Sequence, residues 1–259
     1  MLKKILLVLI AFCIPAFAAQ LPPLPLNQCL QHAIYGFPTA EKQNTQICRT
    51  GYVLAYDGSA KIPIWVSYTL TPAHATGCFE RSNAFAEDKS LGDQASKPKD
   101  YAKSGYDIGH QANDGDMRWS FQTEIESFIL SNMAPQLPSF NRGIWKKLEE
   151  KTRAWAIGRQ HKLLIYVGPV YSKQDPTIGK GMVTVPHAFF KIIVDTETQE
   201  TLVYLFKHEG SSAGLDTFIT SLAEVQRQTG VVFPLSLKPV FTSGWDTKPL
   251  DRNRACALN

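Results

Sequence analysis

The chain has little net charge, and this weakens one functional interpretation from the start. Its 259 residues carry 27 Lys and Arg against 23 Asp and Glu, a formal net charge of +4. So small an excess gives little support for nucleic-acid binding through bulk charge, and any attraction to phosphate has to be local. The sequence also lacks an internal repeat, a convincing linker and a phosphate-cradling loop, since Gly179-Lys180 has no glycine five residues before it.

Long apolar runs are equally scarce. One run, at residues 5–17, follows Lys3 and Lys4 and ends in Ala16-Phe17-Ala18. A positive start, a short apolar run and a small-x-small site are typical of a cleaved signal peptide. We therefore predict a leader over residues 1–18, a single domain over residues 19–259, and export to the periplasm or beyond. A permanent membrane anchor ranks second, because the run is short for a bilayer and no second run follows.

The cysteines have no closely spaced pair, and this disfavours a zinc site. Cys13 leaves with the leader, and Cys29, Cys48, Cys78 and Cys256 remain. An even number of cysteines in an exported chain predicts two disulfides. Four cysteines allow three pairings, and the sequence does not choose among them.

The remaining pattern predicts an α+β fold. Strands are predicted at residues 52–56, 62–70, 163–167, 189–194 and 201–206, where β-branched and aromatic residues concentrate. Helices are predicted at residues 121–128, 141–158 and 215–228, and a long polar surface loop at residues 85–103. Because strands outnumber helices and are often neighbours along the chain, we expect a mostly antiparallel central sheet flanked by helices.

Two short motifs carry the functional information. The first is Asp107-Ile108-Gly109-His110, and the second runs from Ser131-Asn132-Met133-Ala134-Pro135-Gln136 through Phe140-Asn141-Arg142-Gly143-Ile144-Trp145 to Glu149 and Arg153. Together they provide a proton acceptor, a neutral oxygen ligand for a hard cation, a carboxylate and a guanidinium. Such a set of groups suits hydrolysis of a phosphodiester with one metal ion.

These motifs resemble those of the DNA/RNA non-specific endonucleases, a family of secreted bacterial and mitochondrial nucleases with a ββα-metal active site. The resemblance covers most of the chain after the leader, including Trp65–Tyr68, Val185–Lys191 and Glu224–Gly230. It implies a ββα-metal motif within the α+β fold, DNA and RNA as substrates, and one Mg²⁺, with Mn²⁺ as an alternative. The sequence allows a dedicated inhibitor protein but gives no evidence for one, and it does not predict an oligomeric state.

The resemblance also implies a role for each site residue. His110 is the general base, Asn141 is the direct Mg²⁺ ligand, Glu149 orients metal-bound water, Arg153 reaches the scissile phosphate or the leaving oxygen, Asn132 supports the site by hydrogen bonding, and Asp107 fixes the backbone around His110.

Several of these residues also have a plain structural interpretation. Asn141 is a suitable helix N-cap. Glu149 and Arg153, four residues apart, would form an ordinary ion pair on a helix surface. The run Asn113–Asp116 faintly suggests calcium ligation, but a turn in solvent is the preferred interpretation because the rest of an EF-hand loop is absent.

One position departs from the family signature, which is Asp-Arg-Gly-His. Ile108 stands where the arginine is expected, so one cation of the site is missing. Losing one such contact could cost about 2–4 kcal/mol of transition-state stabilisation. Arg118, Lys103 or Arg81 is a candidate to compensate. Two alternatives to an active nuclease therefore stay open: a weakened or inactive relative that binds nucleic acid outside the cytoplasm, and a structural envelope protein.

Overall fold

The structure, a computed structural model, describes residues 21–235, 238–239 and 245. The predicted leader and Cys256 lie outside these residues. The strands are Thr39–Ala40 (β1), Thr45–Cys48 (β2), Val53–Asp57 (β3), Ile62–Leu70 (β4), Asp107–His110 (β5), Met133–Gln136 (β6), Leu163–Val170 (β7), Thr177–Ile178 (β8), Val183–Thr184 (β9), Ala188–Asp195 (β10), Glu200–Lys207 (β11), Val231–Val232 (β12) and Lys238–Pro239 (β13).

The helices are short, apart from one. The α-helices are Pro72–Ala75 (α1), Pro98–Tyr101 (α2), Asp114–Met117 (α3), Phe121–Ser127 (α4), Lys146–Arg159 (α5) and Leu222–Thr229 (α6). Single 3₁₀ segments cover Leu26–His32, Lys89–Gln94, Leu130–Asn132 and Leu215–Phe218, and a π turn covers Phe140–Trp145. Within the described residues, no helix is long and apolar enough to cross a membrane.

A central sheet confirms the predicted α+β class. Among the described residues its strand order is β13-β11-β10-β7-β4-β3-β2. The six strands from β11 to β2 pair antiparallel, and β13 joins the edge in parallel. Strands β4, β7 and β10 are buried along their whole lengths, so both faces of the sheet are covered. Their runs of apolar residues are the reason that they were predicted within a few residues of their bounds.

A second, two-stranded ribbon carries the histidine motif. Strand β5 pairs antiparallel with β6, and Ile108 lies opposite Pro135. Gly109 is needed here, because a Cβ at this position would lie 2.3 Å from Cδ of Gln136 on the neighbouring strand. The chain then passes through the π turn into α5, so two strands and a helix follow one another as a ββα unit.

The predicted helix at residues 141–158 is interrupted at its start. The α-helical part begins at Lys146, and Gly143 has φ −104° and ψ −113°, outside the helical region. This backbone breaks the regular hydrogen-bond ladder at the turn that carries Asn141. The uniform helical spacing expected between Asn141 and Glu149 is therefore wrong.

The predicted surface loop at residues 85–103 is also wrong in part. It contains a 3₁₀ segment and α2, and its side chains Asp88, Leu91 and Tyr101 are buried. The Asp88 carboxylate is 2.8 Å from Arg49 Nη2 and accepts a hydrogen bond from Ser131 Oγ. Asp88 enters the interior here because its charge is paired, which sequence polarity alone does not reveal.

Disulfide bonds account for three of the four cysteines predicted to remain after the leader. Cys29 is bonded to Cys48, and this bond ties the 3₁₀ segment Leu26–His32 to β2. Cys78 is also disulfide-bonded. The expectation of disulfides is therefore confirmed for these residues, and the alternative of a zinc site is wrong for them.

Candidate active site

His110, at the end of β5, is held among aromatic rings. Its ring centroid is 4.7 Å from that of Phe128 and 5.8 Å from that of Phe85. The residue is 8% exposed, and its Nε2 atom has no hydrogen-bond partner in the described part of the chain. Burial, assisted by the positive charge of Arg81, lowers the pKa of His110 to about 3. The imidazole is therefore neutral at ordinary pH and can accept a proton.

A charged cluster borders this histidine. Arg81 Nη1 is 2.9 Å from Asp114 Oδ2, and Arg118 Nη2 is 3.3 Å from the same oxygen. The Arg81 guanidinium also lies over the Phe128 ring, 4.8 Å from its centroid. Of the three cations considered as compensation for Ile108, Arg81 and Arg118 thus share one carboxylate near His110.

The Asn113–Asp116 segment is not the solvent turn that was predicted. Residues 114–117 form α3, and both Asp114 and Asp116 are buried. Asp116 accepts hydrogen bonds from Tyr68 Oη at 2.7 Å and from Arg153 Nη1 at 2.8 Å. Asp114 therefore binds Arg81 and Arg118, and Asp116 binds Arg153. Arg81 and Arg153 come from other parts of the chain and hold the segment that follows His110.

Asn132 fixes the backbone just beyond the histidine. Its Oδ1 accepts from Ala112 N at 2.8 Å, and its Nδ2 donates to Ala112 O at 2.9 Å. The same Nδ2 donates to Ser127 O at 2.9 Å, and the side chain is fully buried. A carboxamide that bonds both backbone groups of one residue fixes that residue much as a neighbouring strand would. Such contacts fit the supporting role predicted for Asn132.

Asn141, the candidate metal ligand, is oriented by Asp107. Its Nδ2 donates to Asp107 Oδ2 at 2.9 Å. An ionised carboxylate can only accept, so the nitrogen must face it and the amide oxygen must face away. In the described part of the chain no hydrogen bond engages that oxygen. Asp107 thus acts on Asn141, where the sequence had led us to expect it to fix the backbone around His110.

Asp107 also binds the residue next to Asn141. Arg142 donates from Nε to Oδ2 at 2.9 Å and from Nη2 to Oδ1 at 2.6 Å. Partial burial of Asp107 acts to raise its pKa, but the hydrogen bonds from Arg142 and Asn141 outweigh it and hold the pKa below its ordinary value. Asp107 therefore stays ionised, as the orientation of Asn141 requires.

Glu149 and Arg153 lie in a buried cluster, so the alternative of a surface ion pair is wrong. Glu149 is 6% exposed. Burial raises its pKa to about 7, against the opposing charges of Lys191 and Arg153. Arg153 Nη1 donates to Asn113 Oδ1 at 3.0 Å and to Asp116 Oδ1 at 2.8 Å. The Arg153 guanidinium is therefore committed to the segment after His110.

These contacts bring the two motifs together. Asp107, on the histidine strand, holds Asn141, and α5 reaches the segment after His110 through Arg153 and Asn113. The ribbon and the helix thus carry the base candidate and the ligand candidates on adjoining elements.

The sequence interpretation missed Lys191, whose ammonium is fully buried in β10 and has no hydrogen-bond partner in the described part of the chain. The one signal was a lysine within the apolar run of residues 188–194.

The donor set suits a hydrated hard cation. Among the described residues, no three His, Cys, Asp or Glu side chains are grouped to hold a metal ion together. Asn141 instead offers one amide oxygen, and Glu149 offers a carboxylate. Mg²⁺ keeps several of its waters and is often held by one or two protein oxygens. The residues present therefore fit Mg²⁺; the Asn141 oxygen would bind it directly and Glu149 through water, and both roles stay predictions.

The sequence profile described as DNA/RNA non-specific endonuclease matches residues 30–239, and the chain belongs to this family.

Individual relatives agree with this assignment. The chain is 30% identical over 218 residues to endonuclease G of Homo sapiens mitochondria, a match that covers 78% of this chain and 72% of that protein. It is 33% identical over 199 residues to a nuclease of Nostoc sp., covering 73% of this chain and 71% of the relative. A crystal structure of an EndoG/EndoGI complex superposes with a TM-score of 0.72 at 30% identity, covering 79% of this chain and 90% of that chain.

Proposed function

We propose that this protein is an exported Mg²⁺-dependent endonuclease that hydrolyses phosphodiester bonds in DNA and RNA, with Mn²⁺ as an alternative ion. The observation that carries the proposal is the pairing of two free acceptors on one ββα unit. Nε2 of His110 has no partner among the described residues, and the Asn141 oxygen is turned away from Asp107. A proton acceptor and a hard oxygen ligand are the two groups that metal-assisted hydrolysis requires.

In this proposal His110 takes the proton of the attacking water, since its ring is neutral at ordinary pH. Asn141 and Glu149 hold the ion, which when bound neutralises charge on the phosphoryl and leaving oxygens. Asn132 and the aromatic contacts keep the imidazole in place. Arg153 keeps α5 against the segment after the histidine, and its own contact with phosphate stays a prediction.

Substrate range and location are part of the proposal. A site made of histidine, amide and arginine recognises phosphate rather than base edges, and this favours cleavage with little sequence preference. Export is supported by the leader-like residues 1–18 and by the disulfide between Cys29 and Cys48, which is typical of an oxidising compartment. The solved relative is an EndoG held by EndoGI. An inhibitor of the present chain stays a prediction.

The test compares cleavage of plasmid DNA and of RNA with Mg²⁺, with Mn²⁺ and with EDTA, using the full chain exported and processed. His110→Ala should lower the rate by about 10²–10⁴-fold because the general base is removed. His187→Ala is the matched control, since the ring of this half-exposed histidine is paired with Asp175.

Three outcomes distinguish the proposed nuclease from its alternative. Cleavage that persists in EDTA overturns the role of the metal, and cleavage undiminished in His110→Ala overturns the role of the base. Binding of nucleic acid without cleavage in every condition supports the alternative function, a weakened relative that only binds, for which Ile108 is the motivating residue.

A further inference from the structure

The residue that precedes the missing signature cation binds a different arginine. Ile108 is half-buried and packs against the hydrophobic core, so its side chain brings no charge to the site. Its neighbour Asp107 nevertheless binds a guanidinium, that of Arg142, which comes from the turn that carries Asn141. Successive side chains of a strand point to opposite faces, so this cation lies across the ribbon from the side chain of Ile108, on the face that carries Asp107.

Arg142 is held rigidly for so exposed a residue. Its side chain is 71% exposed, yet two of its nitrogens contact the two oxygens of one carboxylate. Paired contacts of this kind fix the plane of the guanidinium as well as its position. Oxygen Oδ2 of that carboxylate also accepts from Asn141, so the guanidinium lies directly beside the candidate metal ligand.

The contact with Asp107 leaves most of the guanidinium donors available. The group has five N–H bonds, and the contact uses two of them. In the described part of the chain, the Nη1 nitrogen has no hydrogen-bond partner. The other arginines near the site are more enclosed: the Arg81 side chain is 38% exposed and that of Arg153 is 14% exposed.

We propose that Arg142 binds a phosphate of the nucleic-acid substrate and so brings a positive charge to a site in which Ile108 brings none. This inference rests on the proposed function and adds a residue to it. Asp107 holds one edge of the guanidinium, and the free edge donates to a phosphoryl oxygen of the substrate. Asp107 thereby orients two groups, one for the metal and one for the substrate.

The first test compares Arg142→Gln with Arg227→Gln. Arg227 is a matched control, because its side chain is 69% exposed and it binds Glu224 through Nε and Nη2 on α6. Arg142→Gln should lower kcat/KM for plasmid DNA by about 10²–10³-fold, as expected for loss of a charged donor to the reacting phosphate. Arg227→Gln should leave it unchanged. Equal rates for the two variants overturn the proposal.

A second test separates phosphate binding from a purely structural role. If Arg142 only holds Asp107, Arg142→Gln should raise the Mg²⁺ concentration needed for half-maximal rate, and excess Mg²⁺ should restore the wild-type rate. This result overturns the proposal. If Arg142 binds phosphate, excess Mg²⁺ restores nothing.

A third test measures the affinity for a fluorescent DNA duplex in EDTA, where no cleavage is expected. It distinguishes failure of the phosphate contact of Arg142 from failure of the proposed nuclease function. Arg142→Gln should reduce the slope of log affinity against log salt by about 1, and Arg227→Gln should not. A wild-type protein that binds but never cleaves overturns the proposed function, and the salt slopes still decide the role of Arg142. An unchanged slope in Arg142→Gln overturns the phosphate contact, and a wild-type protein that neither binds nor cleaves overturns both proposals.

Discussion

At the scale of single residues, a carboxylate decides which way an amide faces. Asp107 can only accept hydrogen bonds, so it selects the nitrogen of Asn141 and turns the oxygen outward. The hydrogen bonds from Arg142 and Asn141 keep the pKa of Asp107 low against its partial burial, and the selection therefore persists at ordinary pH. The strength of the metal site should accordingly depend on a residue that does not touch the metal.

We expect Asp107→Ala to weaken Mg²⁺ binding. Without the carboxylate, the Asn141 amide can rotate and present its nitrogen, and loss of such a supporting group typically costs about 10–100-fold in metal affinity. The measurement is the Mg²⁺ concentration that gives half-maximal cleavage. Asp93→Ala, at an exposed carboxylate in the 3₁₀ segment Lys89–Gln94, is the control. An identical Mg²⁺ requirement in both variants contradicts this role.

A second residue links stability to pH. His32 is buried, Nε2 donates to Thr50 O at 3.0 Å, and Nδ1 accepts from Thr69 N at 3.3 Å. A protonated ring could no longer accept from Thr69. Burial is the main reason that the pKa of His32 falls from 6.5 to about 4.

Since the unfolded chain then binds a proton at higher pH than the folded chain, stability is complete above pH 6.5 and decreases toward pH 4. The contribution of His32 to this loss should be about 3 kcal/mol, at 1.36 kcal/mol per unit of pKa. The test is urea unfolding of wild type and His32→Gln at several pH values, with the pH slope as the readout. His32→Gln should have a shallower slope, and equal slopes would rule out this assignment.

Candidate site residues could be named from the sequence where a motif was present, and their roles stay predictions. His110, Asn132 and Asn141 were named because their order and spacing resemble a known family. The burial of Glu149 and the placement of Lys191 were not predictable, because local sequence does not reveal which charges a folded chain pairs inside. Lys191 lies in the apolar strand β10, and only the structure places it close to Glu149.

At the scale of elements, the ββα unit depends on one buried side chain. Asn132 holds Ala112 and Ser127 and so fixes the chain as it leaves β5.

Asn132→Asp keeps the shape but faces a carboxylate toward two carbonyl oxygens that have lost their donor. We expect a loss of about 3 kcal/mol in the free energy of unfolding, together with reduced cleavage. Urea unfolding measures the first and plasmid cleavage the second. Asn44→Asp is the control, since this partly buried asparagine donates one hydrogen bond, to Lys42 O, and should change stability by less than about 1 kcal/mol. Equal losses in the two variants would contradict the special role of Asn132.

Strands proved easier to predict than the turn before α5. Long β-branched and aromatic runs such as Ile62–Leu70 can be buried in only a few ways, and the predicted bounds match the structure. The π turn at Phe140–Trp145 has no comparable signal, because its residues fit ordinary helical spacing and only the backbone at Gly143 departs from it.

At the scale of the whole molecule, the N-terminal segment is fastened to the sheet by a covalent bond. The Cys29–Cys48 disulfide closes a loop with a sequence separation of 19. Replacing both residues by alanine should lower the free energy of unfolding by about 3 kcal/mol, because the unfolded chain gains the freedom that the loop had removed. Urea unfolding without reductant is the measurement, and an unchanged midpoint would show that the bond adds nothing to stability.

The fold class was predictable from the whole sequence, whereas the local grouping of charged residues was not. A net charge of +4 gave little reason to expect phosphate binding. The structure gathers Arg81, Arg118, Arg142 and Arg153 around aspartates of the ββα unit. Sequence totals cannot reveal such local grouping, because oppositely charged partners cancel in the sum.

The π turn at Phe140–Trp145, just before α5, restricts which changes of chain length this protein can tolerate. Deleting one residue there, Gly143 for example, would restore an ordinary helical ladder and swing the preceding side chains by about 100° around the axis. Asn141 would then lose Asp107, while Glu149 and Arg153 would stay where they are. Deletion of one residue at this point should therefore abolish cleavage while the protein stays folded. Deletion of one residue in the 196–199 hairpin, which carries no site residue, should leave cleavage intact.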